Sequence, residues 1–285
     1  PEGSAIILTS LAGFVTLQPD YIGFGDSLAE YHPFVMKKSL ASVTIDFIYA
    51  AKKFASDNGI NLNGQLFLTG YSEGGYAALA TLQSIESDDK LQVTMAAPMA
   101  GPYDVNTTAF SMLSQDIMPI PSYMADIAYS YALTYNQPIE SIVNEPYASQ
   151  LADLFSGEYE RVVVDTYLTT QTTGADGLFN PLFVQDFFTN DTNWFREAIV
   201  VNSVHAWAPQ TSVRLVHCKG DDVIPFGMSE LTEGTMKAYG ANDVAVMPVE
   251  ALLGIEELGH VACGLPAYSL TAQLFTTVRQ ATMKY

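Results

Sequence analysis

A five-residue stretch at positions 70–74, with the sequence Gly-Tyr-Ser-Glu-Gly, constrains this chain more than any other feature. The apolar residues just before it predict a buried strand, and the small and apolar residues just after it predict a helix packed close to a sheet. A serine on the sharp turn between such a strand and helix is held clear of the backbone. Because Gly70 and Gly74 have no Cβ, the two elements can approach each other at the turn. The pattern predicts that Ser72 is a nucleophile; the alternative is a chance match in an ordinary glycine loop.

An acid and a histidine follow Ser72 in the chain order that this kind of turn uses. Residues 213–218 predict a late strand, and the turn after it carries both Asp221 and Asp222. Adjacent residues on a turn point in different directions, so only one of the two can orient a histidine. We favour Asp221, which directly follows the strand-ending Gly220, and expect Asp222 to cap the next turn or face solvent.

His260 is the predicted base. It is the one of the chain's four histidines that follows both the acid and a last predicted strand at residues 244–249. We interpret the other three as structural: His32 in a loop, His205 beside Trp207, and His217 inside the late strand.

Several longer segments resemble one known family. Residues 18–27 (Gln-Pro-Asp-Tyr-Ile-Gly-Phe-Gly-Asp-Ser) and 31–33 (Tyr-His-Pro) resemble a loop of the secretory lipase family, the Candida antarctica lipase A-like group of the α/β-hydrolase superfamily. Residues 219–225 resemble its acid loop, which also favours Asp221, and residues 101–104 resemble another of its segments. The resemblance implies an α/β-hydrolase fold, with a mostly parallel sheet flanked by helices, a helical lid and ester hydrolysis.

The resemblance also implies roles for residues around Ser72. The backbone N–H of Glu73 is the expected oxyanion donor, although a neutral residue is commoner at that position. Tyr71, Asp20 and Tyr21 are candidates for contacting the substrate.

The middle of the chain departs from the strand-and-helix rhythm. We assign residues 1–105 and 211–285 to the hydrolase core, and residues 106–210 to a helical lid or cap. The inserted segment is rich in aromatic residues, and its prolines divide it into short helices. Its aromatic residues line an acyl pocket or form the insertion's own core.

The resemblance implies that residues 14–18 form the fourth of eight strands. The first three strands, and the loop that supplies a second oxyanion donor, would then lie upstream. We expect a missing N-terminal segment, in cis or as a second chain. The alternative is a smaller, rearranged hydrolase in which the loop around Asp20 and Tyr21 supplies that donor.

Composition limits the partners. Apolar residues make up 48% and charged residues 15% of the chain, which is typical of a globular protein. Acidic residues outnumber basic residues 31 to 12, and the formal net charge is −19. Repulsion disfavours nucleic acid as a partner, whereas neutral substrates suit this charge. No metal-ligand cluster stands out, and we predict neither a metal nor a cofactor.

The two cysteines lie at mirrored positions. Cys218 comes three residues before Asp221, and Cys263 comes three residues after His260. Because an acid and a base that hydrogen-bond bring their loops together, the two thiols should be neighbours. They form a disulfide, which would persist in a secreted protein, or remain as two buried thiols.

Together these features predict a secreted, extracellular or periplasmic serine esterase or lipase. It would act on a neutral acyl ester, such as a lipid or a polyester, through an acyl-enzyme. One alternative is a serine peptidase of the prolyl-oligopeptidase type, which shares the fold and the three residues. The other is a binding protein that has kept the fold and lost catalysis.

Overall fold

The computed structural model describes residues 5, 7–8, 12–88 and 90–282. The chain forms two compact units. The first comprises Pro1–Pro19, Leu40–Tyr103 and Val204–Tyr285, and the second comprises Asp20–Ser39 and Asp104–Ser203. Residues 20–39, which were predicted to belong to the hydrolase core, group here with the inserted segment.

The first unit is built on a sheet of four parallel strands. These are β1 (Phe67–Tyr71), β2 (Met95–Met99), β3 (Val213–His217) and β4 (Val244–Pro248), in the order β1-β2-β3-β4. The second strand, Met-Ala-Ala-Pro-Met, is buried along its whole length. Such a continuous apolar run is expected for a parallel strand covered on both faces. Since all four strands run the same way, the loops that follow them lie along one edge of the sheet.

Helices accompany the sheet. They are α1 (Lys37–Asp57, which begins in the second unit), α2 (Glu73–Asp88), α9 (Gly227–Ala238), α10 (Val249–Leu253) and α11 (His260–Thr282). The strands and α11 share one apolar cluster, in which Met99, Val216 and Phe275 are almost fully buried. Its members include Tyr71, Cys218 and Cys263, which lie within three residues of the candidate residues in the chain.

The second unit is helical. It contains α3 (Val105–Leu113), α4 (Pro121–Thr134), α5 (Leu151–Leu154), α6 (Arg161–Tyr167), α7 (Pro181–Thr189) and α8 (Trp194–Asn202), with short 3₁₀ helices at Gly25–Ser27, Ile139–Ser141 and Ala148–Gln150. Proline occupies the first turn of α4 and of α7, where its missing N–H costs nothing.

Many of the aromatic residues of the second unit pack against one another. The ring of Phe195 lies 5.5 Å from those of both Tyr131 and Phe183, and 6.2 Å from that of Phe187. Three of these side chains, Tyr131, Phe187 and Phe195, are fully buried. These residues therefore form the insertion's own core.

The predicted strand at residues 14–18 is wrong. The segment is irregular, and the side chain of Phe14 is held by other contacts. The ring of Phe14 lies 5.5 Å from that of Phe67 and 6.2 Å from that of Phe275, and the guanidinium of Arg279 lies 4.5 Å from its centre. Phe14 packs through these ring contacts, which require no ladder of backbone hydrogen bonds, and the strand that the resemblance implied does not form.

Within the described part of the chain, no helix has the length and apolar character needed to cross a bilayer.

Candidate active site

Ser72 occupies the turn between β1 and α2 in a strained conformation. Its φ is 58°, in the left-handed region that residues other than glycine rarely adopt. Its N–H donates to the carbonyl of Met99 at 2.9 Å, and its own carbonyl accepts from the N–H groups of Gly75 and Tyr76. A non-glycine residue in such a region costs about 1–3 kcal/mol and persists only where its surroundings hold it. The neighbouring strand and the first turn of the helix therefore fix the serine in place.

The close approach of strand and helix at this turn requires glycine at two positions, Gly70 and Gly75, and the sequence predicted only the first. A Cβ on Gly70 would come within 2.3 Å of the carbonyl oxygen of Gly74, as expected for a close approach of strand and helix. A Cβ on Gly74 would meet nothing within 4 Å. Instead it is Gly75 that packs tightly, since its Cβ would lie 2.3 Å from the carbonyl oxygen of Met99. The predicted role of Gly74 is thus wrong, and Gly75 fills it.

Gly75→Ala is expected to lower the free energy of unfolding by about 1–3 kcal/mol, because the added methyl group would push backbone against backbone. The matched control is Gly74→Ala, which adds the same group to the same helix turn in open space. That variant should be as stable as the wild type, or more stable by up to about 1 kcal/mol, since alanine favours helix over glycine. Urea denaturation of both variants measures the difference. Equal stabilities would contradict this account of the turn.

His260 is the first residue of α11 and lies between Ser72 and Asp221. Its Nε2 is 2.9 Å from the Oγ of Ser72, and its Nδ1 is 2.7 Å from Oδ2 of Asp221. A carboxylate can only accept, so Nδ1 carries a proton and donates it to Asp221. In the neutral ring Nε2 is then an acceptor for the hydroxyl of Ser72. This tautomer is the one that a base for Ser72 needs.

Asp221 is surrounded by donors. Its Oδ1 accepts from the N–H groups of Val223 at 3.0 Å and Ile224 at 2.8 Å, and its Oδ2 accepts from His260 and from His217. Burial raises the pKa of the carboxyl, but the hydrogen bonds from His217 and His260 outweigh it and hold the pKa well below its usual range. Asp221 is therefore ionised wherever the protein is folded near neutral pH.

Asp222 has a different partner. Its Oδ1 accepts from the backbone N–H of His260 at 2.8 Å, at the first residue of α11. A carboxylate is favoured at a helix N-terminus, where backbone N–H groups point outward. Asp222 therefore contacts the main chain of the base, while Asp221 contacts its ring.

Two further links join the loop of the acid to the loop of the base. A disulfide joins Cys218 to Cys263, with the Cα atoms 6.0 Å apart. The carboxylate of Glu250 accepts from the backbone N–H groups of Lys219 at 2.9 Å and of Leu258 at 3.3 Å. Burial raises the pKa of Glu250, but hydrogen bonds from main-chain N–H groups, with that of Lys219 the strongest, outweigh it and lower the pKa. Glu250 was not among the residues predicted from the sequence, where its single indication is an acidic residue directly after the last predicted strand, residues 244–249.

Replacing both cysteines with alanine is expected to lower the free energy of unfolding by about 2–4 kcal/mol, because the unfolded chain gains freedom when the cross-link is lost. Urea denaturation with and without dithiothreitol measures this. The reductant should destabilise the wild type and leave the Cys218→Ala/Cys263→Ala variant unchanged. Free thiols in freshly prepared, non-reduced wild-type protein would contradict the disulfide.

Tyr71 supports the base. Its side chain is buried, its hydroxyl donates to the backbone carbonyl of His260 at 2.6 Å, and the two rings lie 5.0 Å apart. Burial, and after it the negative charge of Asp221, raises the pKa of the phenol far above its usual value. These contacts give Tyr71 a structural role beside His260, and its predicted contact with substrate stays a prediction.

The remaining predicted residues lie in different places. Glu73 is the first residue of α2, so its N–H belongs to the positive end of the helix dipole. Asp20 and Tyr21 belong to the second unit, and their predicted contact with substrate stays a prediction. His32 donates from Nδ1 to the carbonyl of Ile22 at 2.8 Å, which is a structural loop contact.

Known proteins resemble the chain in sequence and in fold. The sequence profile of the family described as secretory lipase matches residues 4–252. In a comparison with curated proteins, no sequence matches the chain. A candidate hydrolase from Legionella pneumophila has a TM-score of 0.86 at 24% identity, over 98% of this chain and 74% of that one.

Two further solved structures are lipases or esterases. LipA of Xanthomonas oryzae, described as a rice cell wall degrading esterase, has a TM-score of 0.70 at 26% identity, over 92% of this chain and 69% of that one. Candida antarctica lipase A has a TM-score of 0.66 at 15% identity, over 89% of this chain and 57% of that one. The parallel sheet and its flanking helices are thus an α/β-hydrolase fold, and the chain belongs to the secretory lipase family.

Proposed function

We propose that this chain hydrolyses carboxylic esters through an acyl-enzyme on Ser72, with His260 as the base and Asp221 as the acid that orients it. Membership of the secretory lipase family makes it an ester-hydrolysing enzyme. One observation carries the assignment of residues. Oδ2 of Asp221, both ring nitrogens of His260 and the Oγ of Ser72 form an unbroken line of hydrogen bonds, at 2.7 and 2.9 Å.

The reaction follows from these contacts. As the Oγ of Ser72 attacks the carbonyl carbon of the ester, its proton passes to Nε2 of His260. The ionised Asp221 stabilises the imidazolium that forms, and Nε2–H then protonates the departing alkoxide. Water, activated by the same nitrogen, attacks the acyl group and releases the acid and free Ser72.

The oxyanion of each tetrahedral intermediate needs hydrogen-bond donors. We assign one of these to the backbone N–H of Glu73, which begins α2 beside the nucleophile. A donor of this kind typically contributes a factor of about 10²–10³ to kcat. The loop around Asp20 and Tyr21 is one sequence-based candidate for a second donor.

The substrate class follows from charge and from family. With 12 basic and 31 acidic residues, the chain has few groups to bind an anionic substrate, so we propose a neutral ester. A lipid or a polyester fits this description. Family membership and the Cys218–Cys263 disulfide favour a secreted protein, because such bonds persist outside the reducing cytosol.

A panel of chromogenic substrates tests the proposal. We expect turnover of p-nitrophenyl esters across a range of acyl chain lengths, and none of a peptide p-nitroanilide. Ser72→Ala is the control, and it should abolish the turnover. Cleavage of the anilide would favour a peptidase, and folded protein without any turnover would favour a binding protein.

The proposal that residues 106–210 act as a lid has its own test. A lid that opens at a lipid surface would make the rate rise sharply once an ester exceeds its solubility limit. A rate that stays hyperbolic through that limit would contradict a lid of this kind.

A further inference from the structure

A second histidine contacts the acid. His217 is the last residue of β3, and its side chain is fully buried. Its Nε2 lies 3.2 Å from Oδ2 of Asp221 and 3.0 Å from the carbonyl oxygen of Ile224. Its Nδ1 lies 2.8 Å from the Oγ of Ser229 in α9. Both ring nitrogens of His217 therefore have hydrogen-bond partners, and one of these partners is Asp221. From the sequence, this ring was interpreted as structural.

The contacts fix the proton on this ring. The carbonyl of Ile224 can only accept, so Nε2 carries a hydrogen and shares it between that carbonyl and Asp221. In the neutral ring Nδ1 is then an acceptor, and the hydroxyl of Ser229 donates to it. Ser229 is itself fully buried, which leaves the ring without freedom to flip.

The same carboxylate oxygen serves both histidines. Oδ2 of Asp221 accepts from Nδ1 of His260 at 2.7 Å and from Nε2 of His217 at 3.2 Å, while Oδ1 is held by two backbone N–H groups. The backbone N–H groups of Val223 and Ile224 fix only Oδ1, so by themselves they would let the carboxylate turn and move Oδ2. His217 supplies a donor, other than the base itself, to the oxygen that must meet His260.

We propose that His217 is a positioning residue of the triad, whose Nε2–H holds Oδ2 of Asp221 at the place where it meets Nδ1 of His260. This inference rests on the proposed function. Its physical basis is that an orienting acid helps the base only when its oxygen is fixed within a fraction of an ångström. The ring of Phe226, 5.6 Å from that of His217, packs beside this contact.

A matched pair of variants isolates the Nε2–H donor. The amide nitrogen of glutamine lies the same number of bonds from Cα as Nε2 of histidine, and that of asparagine matches Nδ1. His217→Gln therefore keeps a donor toward Asp221 and gives up the contact with Ser229. His217→Asn does the reverse, with the same loss of the ring.

We expect His217→Asn to lower kcat by about 10-fold or more at unchanged KM, because a small misplacement of the acid slows chemistry and not binding. His217→Gln should keep at least about a third of the wild-type kcat. Rates are expressed per active site titrated with a fluorophosphonate, so that partial unfolding does not count as lost catalysis. Equal kcat values for the two variants would overturn the inference, since a merely structural ring predicts equal losses.

Failure of the proposed function and failure of the inference about His217 give different results. If hydrolysis persists in Ser72→Ala, the proposed function fails, whatever His217 does. If Ser72→Ala is inactive and His217→Asn is as fast as the wild type, the inference alone fails. Should His217→Asn not fold, Ser229→Ala replaces it. With the ring's second anchor removed, kcat should fall by about 3-fold or more at unchanged KM, and an unchanged kcat would overturn the inference.

Discussion

Replacing Ser72 with alanine is expected to lower kcat for ester hydrolysis by about 10⁴-fold or more, and His260→Ala is expected to do the same. Without the Oγ there is no atom to acylate, and without Nε2 there is nothing to take the proton of that hydroxyl. The 2.9 Å contact between these two atoms makes them one functional unit. The double variant should therefore be no slower than either single variant, because either substitution alone already abolishes the catalysis that the two residues perform together.

Stability separates this result from unfolding. Ser72→Ala should melt within a few degrees of the wild type, since it removes one oxygen and leaves the hydrogen bonds of its backbone in place. The rate is measured with a short-chain p-nitrophenyl ester after removal of any trace wild-type enzyme by a covalent inhibitor. A folded Ser72→Ala protein with near-normal turnover would show that another residue is the nucleophile.

Asp221→Asn is expected to cost about 10⁴-fold in kcat, whereas Asp222→Asn should cost only a few-fold. The amide of asparagine can turn its NH₂ group toward Nδ1 of His260, which reverses the tautomer and leaves Nε2 protonated. Asp222 accepts from the backbone N–H of His260 through one oxygen, and asparagine keeps an oxygen to do so.

The two aspartates are each other's control. They are adjacent, the substitution is the same, and both accept from His260, one from its ring and one from its main chain. Kinetics on both variants, with unfolding curves alongside, decide between them. A larger loss of kcat in Asp222→Asn would place the acid one residue later in the chain.

The sequence predicted Ser72, Asp221 and His260 because their positions follow from local patterns. Ser72 and Asp221 each lie just after a predicted strand, and His260 lies 11 residues after the last one, residues 244–249. The loops that follow parallel strands lie along one edge of the sheet. That rule brings the three loops together without any knowledge of side-chain packing. The same proximity argument applied to Cys218 and Cys263, which lie beside the acid and the base in the chain.

Other residues of the site could not be predicted in this way. Glu250 reaches the main chain of two loops, and Tyr71 reaches the carbonyl of His260 from β1. Such contacts depend on which atoms of distant segments meet, and no local pattern encodes this. His217 was assigned correctly to the late strand, of which it is the last residue. Its contact with Asp221 depends on how the turn after the strand folds back, which the local sequence does not encode.

The left-handed backbone at Ser72 makes the stability of the fold and the catalytic role of the residue conflicting requirements at one position. Glycine adopts that conformation without the steric cost that serine bears, so a substitution to glycine there would relieve strain while deleting the nucleophile. A search for heat-resistant variants that ignores activity should therefore drift toward Ser72→Gly. Selection that retains serine must therefore act on the nucleophilic role of its Oγ, because selection for stability alone would favour replacing the serine.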